Sequence, residues 1–271
     1  LFLPLASLTL HLRPPLGITL GLLLLTLLAG FTWQRAQLWR NTEHLQTYWA
    51  TSSPNSPRAQ SFLGNALTLR GRYDEAETLM QAAMARRPDS AFLTLSLLLQ
   101  RRYAQRASAA DYQWAASRLQ QQTFDAQSVT TLGTLVEQIR KPPIQPEEIA
   151  AAHALVYALG AQGRKHPSLA RLLPALQGKL FLLENQPEEA LKAFLRAMDL
   201  YGETDACLAM TTEIWSAGYP QQALTALARA KEIYRQQDVK QRSPDVYNMK
   251  FTRLENAMRQ DVRDQNEKVK E

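Results

Sequence analysis

The hydrophobic and polar positions of this chain show no sustained period-2 alternation of Val, Ile and Thr. Such alternation is typical of half-buried strands, so the sequence predicts essentially no sheet. Ala, Leu, Gln and Arg are abundant, and only 11 of the 271 residues are glycine, which favours helix throughout. With 45% hydrophobic and 21% charged residues, the composition is that of a folding chain. The sequence therefore predicts an all-α fold.

A long uncharged segment, LGITLGLLLLTLLAGFTW, occupies residues 16–33. Its eighteen residues suffice for a helix that spans a bilayer. Ten of them are Leu, Ile or Phe, which favours insertion by roughly 3 to 6 kcal/mol. Trp33 suits an interfacial anchor, and Arg35 and Arg40 follow it. We predict a transmembrane helix over 16–33; the alternative is a cleaved secretory signal, whose apolar core is usually only about 7–15 residues.

The residues before this segment are also apolar. The chain begins LFLPLASLTLHL, and it lacks an initiator methionine. We therefore interpret residues 1–15 as the end of an earlier span or a loop, and the chain as the carboxy-terminal piece of a longer protein. Basic residues flank both sides of the predicted span, so the positive-inside rule does not assign its orientation.

Residues 34–56 are predicted to connect the span to the rest of the chain. The stretch 34–50 reads as one amphipathic helix, in which Trp39 and Trp49 can pack against the next element. The TSSPNSP that follows is typical of a turn, and Pro57 suits the first position of a helix.

Residues 57–90 closely resemble a tetratricopeptide (TPR) repeat. Gly64 stands in the first helix, Gly71 marks the turn, Ala76 and Ala83 lie seven apart in the second helix, and Pro88 ends the unit. The resemblance implies a helix–turn–helix of about 34 residues whose small side chains let neighbouring helices approach closely. One such unit cannot bury its apolar face alone, so others are expected beside it.

The pattern recurs with varying clarity. Ala110 lies thirty-four positions after Ala76 and indicates a unit at 91–124, whereas 125–170 is degenerate because KPPIQP replaces a short turn. Later repeat positions are held by Gly178, Glu189, Ala190, Phe194 and Ala197 in 171–204, and by Gly218, Tyr219, Ala223, Leu227 and Ala230 in 204–237. We predict a transmembrane helix followed by a TPR-like right-handed α-solenoid of helix–turn–helix repeats over 57–237, closed by a capping helix at 243–268.

The distribution of charge narrows the classes of partner that the chain can bind. The net charge of +6 and pI near 9.5 permit an acidic partner, but basic residues are scattered among acidic ones with no run of five. Nucleic acid is therefore an unfavoured partner.

The single cysteine, Cys207, excludes a disulfide within the chain, and a lone helical cysteine is usually a small buried hydrophobe.

No motif in the sequence indicates catalysis, a metal site or a cofactor. The histidines are dispersed, and none has a second histidine three to five residues later. His153 is interpreted as a core or groove-lining residue. The pairs Glu147-Glu148 and Glu188-Glu189 stand at predicted helix starts, where we interpret them as charges that complement the helix dipole.

Function is predicted on the inner wall of the superhelix, which in TPR proteins is lined by first-helix residues and accepts an extended peptide or a helix. Amide side chains there can bond a ligand's main chain, and a lysine can bind its carboxylate. The candidate residues are Gln60, Asn65, Thr68, Gln177, Lys179 and Thr211. The sequence lacks the dense Lys/Arg clamp of the chaperone-binding TPR proteins, which disfavours that class of partner.

The amino-terminal part resembles the junction in TMTC-type proteins and their bacterial relatives, TPR-bearing polytopic membrane proteins. The similar pieces are the patch Phe2-Leu3-Pro4, the segment 38–41 and the segment 53–59. The resemblance implies a bacterial inner-membrane location with periplasmic repeats. Two hypotheses follow: a membrane-anchored scaffold that binds a protein or peptide in its groove, or the non-catalytic substrate-docking or regulatory tail of a multi-span TMTC-like glycosyltransferase. The spans that would carry catalysis in the second hypothesis are absent from this chain.

Overall fold

The computed structural model describes residues 14–237 and 243–268, and over these residues it contains helices and no strand. The all-α prediction is confirmed. Residues 1–13, which hold nearly all of the predicted apolar amino-terminal segment, lie outside the described residues.

The helices are numbered here in chain order. They are α1 Pro14–Arg40, α2 Thr42–Ser52, α3 Pro57–Leu69, α4 Tyr73–Arg86, α5 Ala91–Tyr103, α6 Ala109–Leu119, α7 Ala126–Ile139, α8 Pro146–Ala158, α9 Gly160–Gly163, α10 Pro167–Leu183, α11 Pro187–Tyr201, α12 Thr204–Ser216, α13 Pro220–Gln236 and α14 Pro244–Lys268. Proline at the first turn starts several of them, where its missing N–H costs no hydrogen bond.

Helix α1 is the one described helix that is long and apolar enough to cross a membrane, and its large apolar side chains are exposed. It continues beyond residue 33 to Arg40, so the prediction of one connector helix over 34–50 is wrong. The side chain of Asn41 accepts hydrogen bonds from the backbone N–H groups of Glu43 (3.0 Å) and His44 (3.3 Å). Asparagine is a strong N-cap, and here it ends α1 and starts α2.

Three pairs of consecutive helices, α3–α4, α10–α11 and α12–α13, pack along their length as hairpins. Gly71 and Gly218 make the turns of the first and last pair with positive φ angles of 74° and 91°. Asn185 takes the same left-handed conformation between α10 and α11, and Gln105 takes it between α5 and α6. Gln105 follows Gly71 by thirty-four positions, so the turn geometry persists where the glycine is lost.

The middle of the chain packs differently. Helix α7 lies mainly against α5, and α8 lies mainly against α6, while α7 and α8 barely touch each other. The proline-containing segment 140–145 separates them and prevents a tight hairpin. Helices α3, α5, α7, α10 and α12 each contact the next, and we call this series the first-helix row.

The register predicted for α6 is wrong. Ala110, expected at the tight position, is exposed, and Tyr112 is fully buried instead. The reason is the turn before α6, where Ser108 and Asp111 form a capping box that starts the helix at Ala109 and rotates its buried face by two residues.

The interpretation of Glu148 as a helix-dipole charge was incomplete. Its carboxylate is buried, lies 3.0 Å from Nε of Arg102, and accepts a 2.6 Å hydrogen bond from the hydroxyl of Tyr112. These three residues therefore form a buried polar network between α5, α6 and α8.

We expect Ala190→Leu to lower the free energy of unfolding by about 1–3 kcal/mol, because the side chain is fully buried where α11 packs on α10. Urea unfolding of the full chain in detergent micelles, followed by circular dichroism, measures the change. The control is Ala110→Leu, which adds the same atoms at an exposed position and should change stability by less than about 0.5 kcal/mol. Equal losses in both variants would contradict the observed register of α6.

Candidate ligand-binding groove

Three of the six predicted contact residues are buried and already bonded. Gln60 donates from Nε2 to the carbonyl of Ala50 at 2.7 Å and ties α3 to α2. The hydroxyls of Thr68 and Thr211 donate to carbonyls one turn earlier in their own helices, each at 2.9 Å. A buried side chain cannot meet a ligand at the surface, so the prediction is wrong for Gln60, Thr68 and Thr211.

The other three are partly exposed; Asn65 lies on α3, whereas Gln177 and Lys179 lie on α10. Asn65 accepts a 3.0 Å hydrogen bond at Oδ1 from Gln100, and Gln177 borders a separate cleft of about 220 Å³ between α8 and α11. Lys179 forms ion pairs with Glu137 and, at 3.5 Å, with Glu213. The structure therefore does not bring the predicted residues together into one site.

Lys179 belongs to a charge cluster across α7, α10 and α12. Arg140 pairs with Glu137 at 3.1 Å and also contacts Glu213, so two cations face two carboxylates. Partial burial disfavours the charged form of Glu137, but the hydrogen bond and charge of Lys179, helped by Arg140, hold the pKa of this carboxyl below its ordinary value. Because the charges within the cluster balance each other, Lys179 is not free to bind the ligand carboxylate that the sequence predicted for it.

An open groove lies at the amino-terminal end of the first-helix row, and we call it the α3–α5–α7 groove. It encloses about 290 Å³, and its lining residues are Arg58, Phe62, Phe92, Ala126, Gln127, Thr130 and Thr131. The guanidinium carbon of Arg58 lies 5.3 Å from the centroid of the Phe62 ring, a cation–π contact that orients the charge over the groove. Within the described part of the chain, Arg58 makes no ion pair.

A second hollow of about 300 Å³ continues the groove toward α2. It shares Arg58 and Phe62 with the groove and adds the side chain of Trp49. The two hollows thus form one path from the end of α2 to α7, with aromatic rings and a cation along it.

The groove can bind but has no evident reactive group. The Thr130 and Thr131 hydroxyls donate to carbonyls of their own helix at 3.0 Å and 2.8 Å, which leaves their oxygens able to accept a ligand's N–H. No group of three or more His, Cys, Asp or Glu that could hold a metal ion occurs among the residues described. An extended segment with one apolar side chain and one carboxylate matches this lining.

The thiol of Cys207 and the imidazole of His153 lie outside the groove. Cys207 is fully buried in α12, and burial raises the pKa of its thiol to about 11, so it is an inert hydrophobe as predicted. The ring of His153 packs against that of Phe181 at an interplanar angle of 49°, with centroids 4.5 Å apart, and its Nε2 lies 3.3 Å from Glu184. Burial lowers the pKa of His153, and the charge of Glu184 opposes this only in part.

Comparison with protein-family models finds no match to this chain, and comparison with curated proteins finds none either.

Proposed function

We propose that this chain is a membrane-anchored scaffold that holds a protein partner beside the bilayer. The observation that carries the proposal is the open α3–α5–α7 groove, where the cation of Arg58 has no acidic partner among the described residues. A cation without an ion pair beside a partly exposed aromatic ring is the arrangement expected of a site that receives an acidic, partly apolar ligand.

We propose further that 57–237 forms a TPR-like right-handed solenoid, degenerate over 125–170. Three hairpins, left-handed turn residues at Gly71, Gln105, Asn185 and Gly218, and the continuous first-helix row support this. In such an array each unit buries the apolar face of its neighbour, which leaves an extended surface for binding. Helix α14 would then close the array as a cap.

The anchor in this proposal is α1. Its exposed Leu, Ile and Phe side chains have no cover within the described chain, and the hydrocarbon core of a bilayer provides one. By the resemblance at the amino-terminal junction, the membrane is a bacterial inner membrane and the repeats lie in the periplasm.

The partner is a protein or peptide that presents an extended segment to the groove. Asn65 and Gln177 lie outside the lining of the groove, but their side chains are partly exposed, so they remain candidate contacts beyond it. The alternative, a docking tail of a membrane glycosyltransferase, uses the same groove to position an acceptor protein and differs in the identity of the captured species.

We expect a photo-crosslinking amino acid at Phe62 to capture one defined protein from intact membranes. Arg58→Ala should reduce the captured amount about tenfold, which corresponds to about 1.4 kcal/mol for a charge-assisted contact. Mass spectrometry of the crosslinked species is the measurement. Crosslinking from Tyr157, exposed on α8, and the charge-matched variant Arg253→Ala on α14 are the controls.

The outcomes separate the hypotheses. Capture of one protein that depends on Arg58 but not Arg253 supports the scaffold. Capture of enzymes of lipid-linked sugars or their acceptors supports the glycosyltransferase tail. Equal capture at Phe62 and Tyr157 would contradict a binding role for the groove.

A further inference from the structure

Exposed aromatic rings are concentrated where the apolar helix meets the rest of the chain. Trp33 and Trp39 on α1 are each 67% exposed, and Tyr48 and Trp49 on α2 are 50% and 36% exposed. The rings of Trp39 and Trp49 meet edge to face, with centroids 6.3 Å apart. We call Trp39, Tyr48 and Trp49 the juxtamembrane aromatic surface.

The helix break at Asn41 sets the height of this surface. Trp39 follows Trp33 by six residues, which is about 9 Å along a helix axis, or about 7 Å along the bilayer normal when the helix is tilted by about 40°. The head-group region on each side of the hydrocarbon core is about 5–8 Å deep. Had the helix continued through Asn41, Trp49 would stand about 15 Å beyond Trp39. The break instead returns α2 alongside the end of α1 and places the two rings side by side.

The chemistry of the surface matches the boundary between lipid and water. Tryptophan and tyrosine combine an apolar body with a polar N–H or O–H, and they are enriched at membrane interfaces for that reason. Arg35 and Arg40 lie on the same stretch of α1 and make no ion pair within the described residues, so they are available to lipid phosphates. Glu43, the acid nearest in sequence, pairs instead with Arg70 at 3.1 Å and Arg72 at 3.5 Å.

We infer that α2 docks on the head-group layer of the bilayer, with Trp39, Tyr48 and Trp49 inserted at the interface and Arg35 and Arg40 against lipid phosphates. The inference rests on the proposed anchoring of α1. Its consequence is a fixed orientation: Gln60 bonds α3 to the backbone of α2, so docking α2 also fixes the start of the first-helix row. The α3–α5–α7 groove then opens beside the membrane, because Trp49 borders its extension.

Tryptophan fluorescence tests this directly, because quenching by brominated lipid requires contact with the bilayer. Full-length variants that keep one tryptophan and replace the others with phenylalanine are reconstituted in vesicles of phosphatidylcholine and phosphatidylglycerol. The lipids carry bromine either near the head group or near the chain ends. We expect the Trp49-only variant to be quenched about twofold more strongly by the shallow bromine than by the deep one. The Trp215-only variant is the control, since its indole donates to Asp261 at 2.6 Å far along the chain, and it should not be quenched.

The Trp33-only variant separates failure of the docking from failure of the anchor. Quenching of Trp33 without quenching of Trp49 overturns the docking and leaves the anchor standing. Quenching of Trp49 without Trp33 supports docking and contradicts a spanning α1. If neither Trp33 nor Trp49 is quenched, both the docking and the anchor are overturned. If the juxtamembrane aromatic surface is instead buried against a protein, Trp49 alone is not quenched. If a single-tryptophan variant loses helix by circular dichroism, the wild-type chain and Trp49→Phe are compared instead, and an unchanged shallow quenching overturns the docking.

Discussion

Arg102→Met is expected to lower the free energy of unfolding by about 3–5 kcal/mol, because it breaks a buried ion pair by removing one partner. The side chains of Arg102 and Glu148 are only 9% and 5% exposed. Removing the cation leaves a carboxylate buried without its counter-charge, and water cannot replace the missing partner.

Other hydrogen bonds of Arg102 are lost in the same variant and add to the loss of stability. Nη2 of Arg102 also donates to the carbonyls of Lys141 (2.9 Å) and Pro143 (3.1 Å), the segment that separates α7 from α8. On the other side, the hydroxyl of Tyr112 donates to Glu148, and burial together with the neighbouring carboxylate raises the pKa of Tyr112. The network of Arg102, Glu148 and Tyr112 thus links three helices and one connecting segment.

Two further variants show whether charge pairing is the cause. The double variant Arg102→Met/Glu148→Leu removes both charges and should be more stable than Arg102→Met alone, because no unpaired ion remains. Arg259→Ala removes a cation from an exposed pair with Glu255 and should cost no more than about 0.5 kcal/mol. Urea unfolding of the full chain in micelles measures all three. A double variant less stable than the single one would show that lost packing, rather than an unpaired charge, dominates.

The turn positions show how much of the fold the sequence could predict. Gly71 and Gly218 identify their turns because glycine favours a left-handed backbone. Asn185 fits the same rule, because asparagine tolerates a left-handed backbone, whereas Gln105 has no such preference and is visible only through its spacing from Gly71. Periodicity is therefore the better guide at Gln105, and residue type is sufficient at the other three turns.

The errors arose where a local hydrogen bond competes with the repeat spacing. Asn41 caps α2 and breaks a helix that the hydrophobic pattern alone would continue. Ser108 and Asp111 start α6 two residues away from the position that a fixed spacing gives. Serine, asparagine and aspartate favour caps, and that preference was available in the sequence to find both breaks.

The candidate site was harder to predict than the fold. Repeat positions identify a helix face, but they do not reveal which polar side chains on it are already bonded to neighbours distant in sequence. Lys179 is paired with Glu137, forty-two positions away, and no local pattern indicates such a contact. Phe62 and Arg58 carried a weak signal, an aromatic and a cation one helical turn apart on a predicted first helix.

Phe194→Ala is expected to lower the free energy of unfolding by about 3–5 kcal/mol, since the ring is fully buried and its removal leaves a cavity between α10 and α11. Gly178 faces this ring so closely that an added Cβ would lie 2.8 Å from three ring atoms. A rigid ring cannot move aside as a flexible side chain can. Gly178→Ala should therefore cost about 1–3 kcal/mol, although alanine is the better helix former.

Gly133 provides the matched control for this contact. It also lies inside a helix, α7, but an added Cβ there meets no atom within 4 Å. Gly133→Ala should therefore stabilise the chain by up to about 1 kcal/mol through helix propensity alone. In the Phe194→Leu background the ring is absent, so Gly178→Ala should lose most of its cost, and a double-mutant cycle measured by urea unfolding gives the coupling. If Gly178→Ala stabilised the chain as Gly133→Ala does, the close approach of α10 and α11 at Phe194 would be wrong.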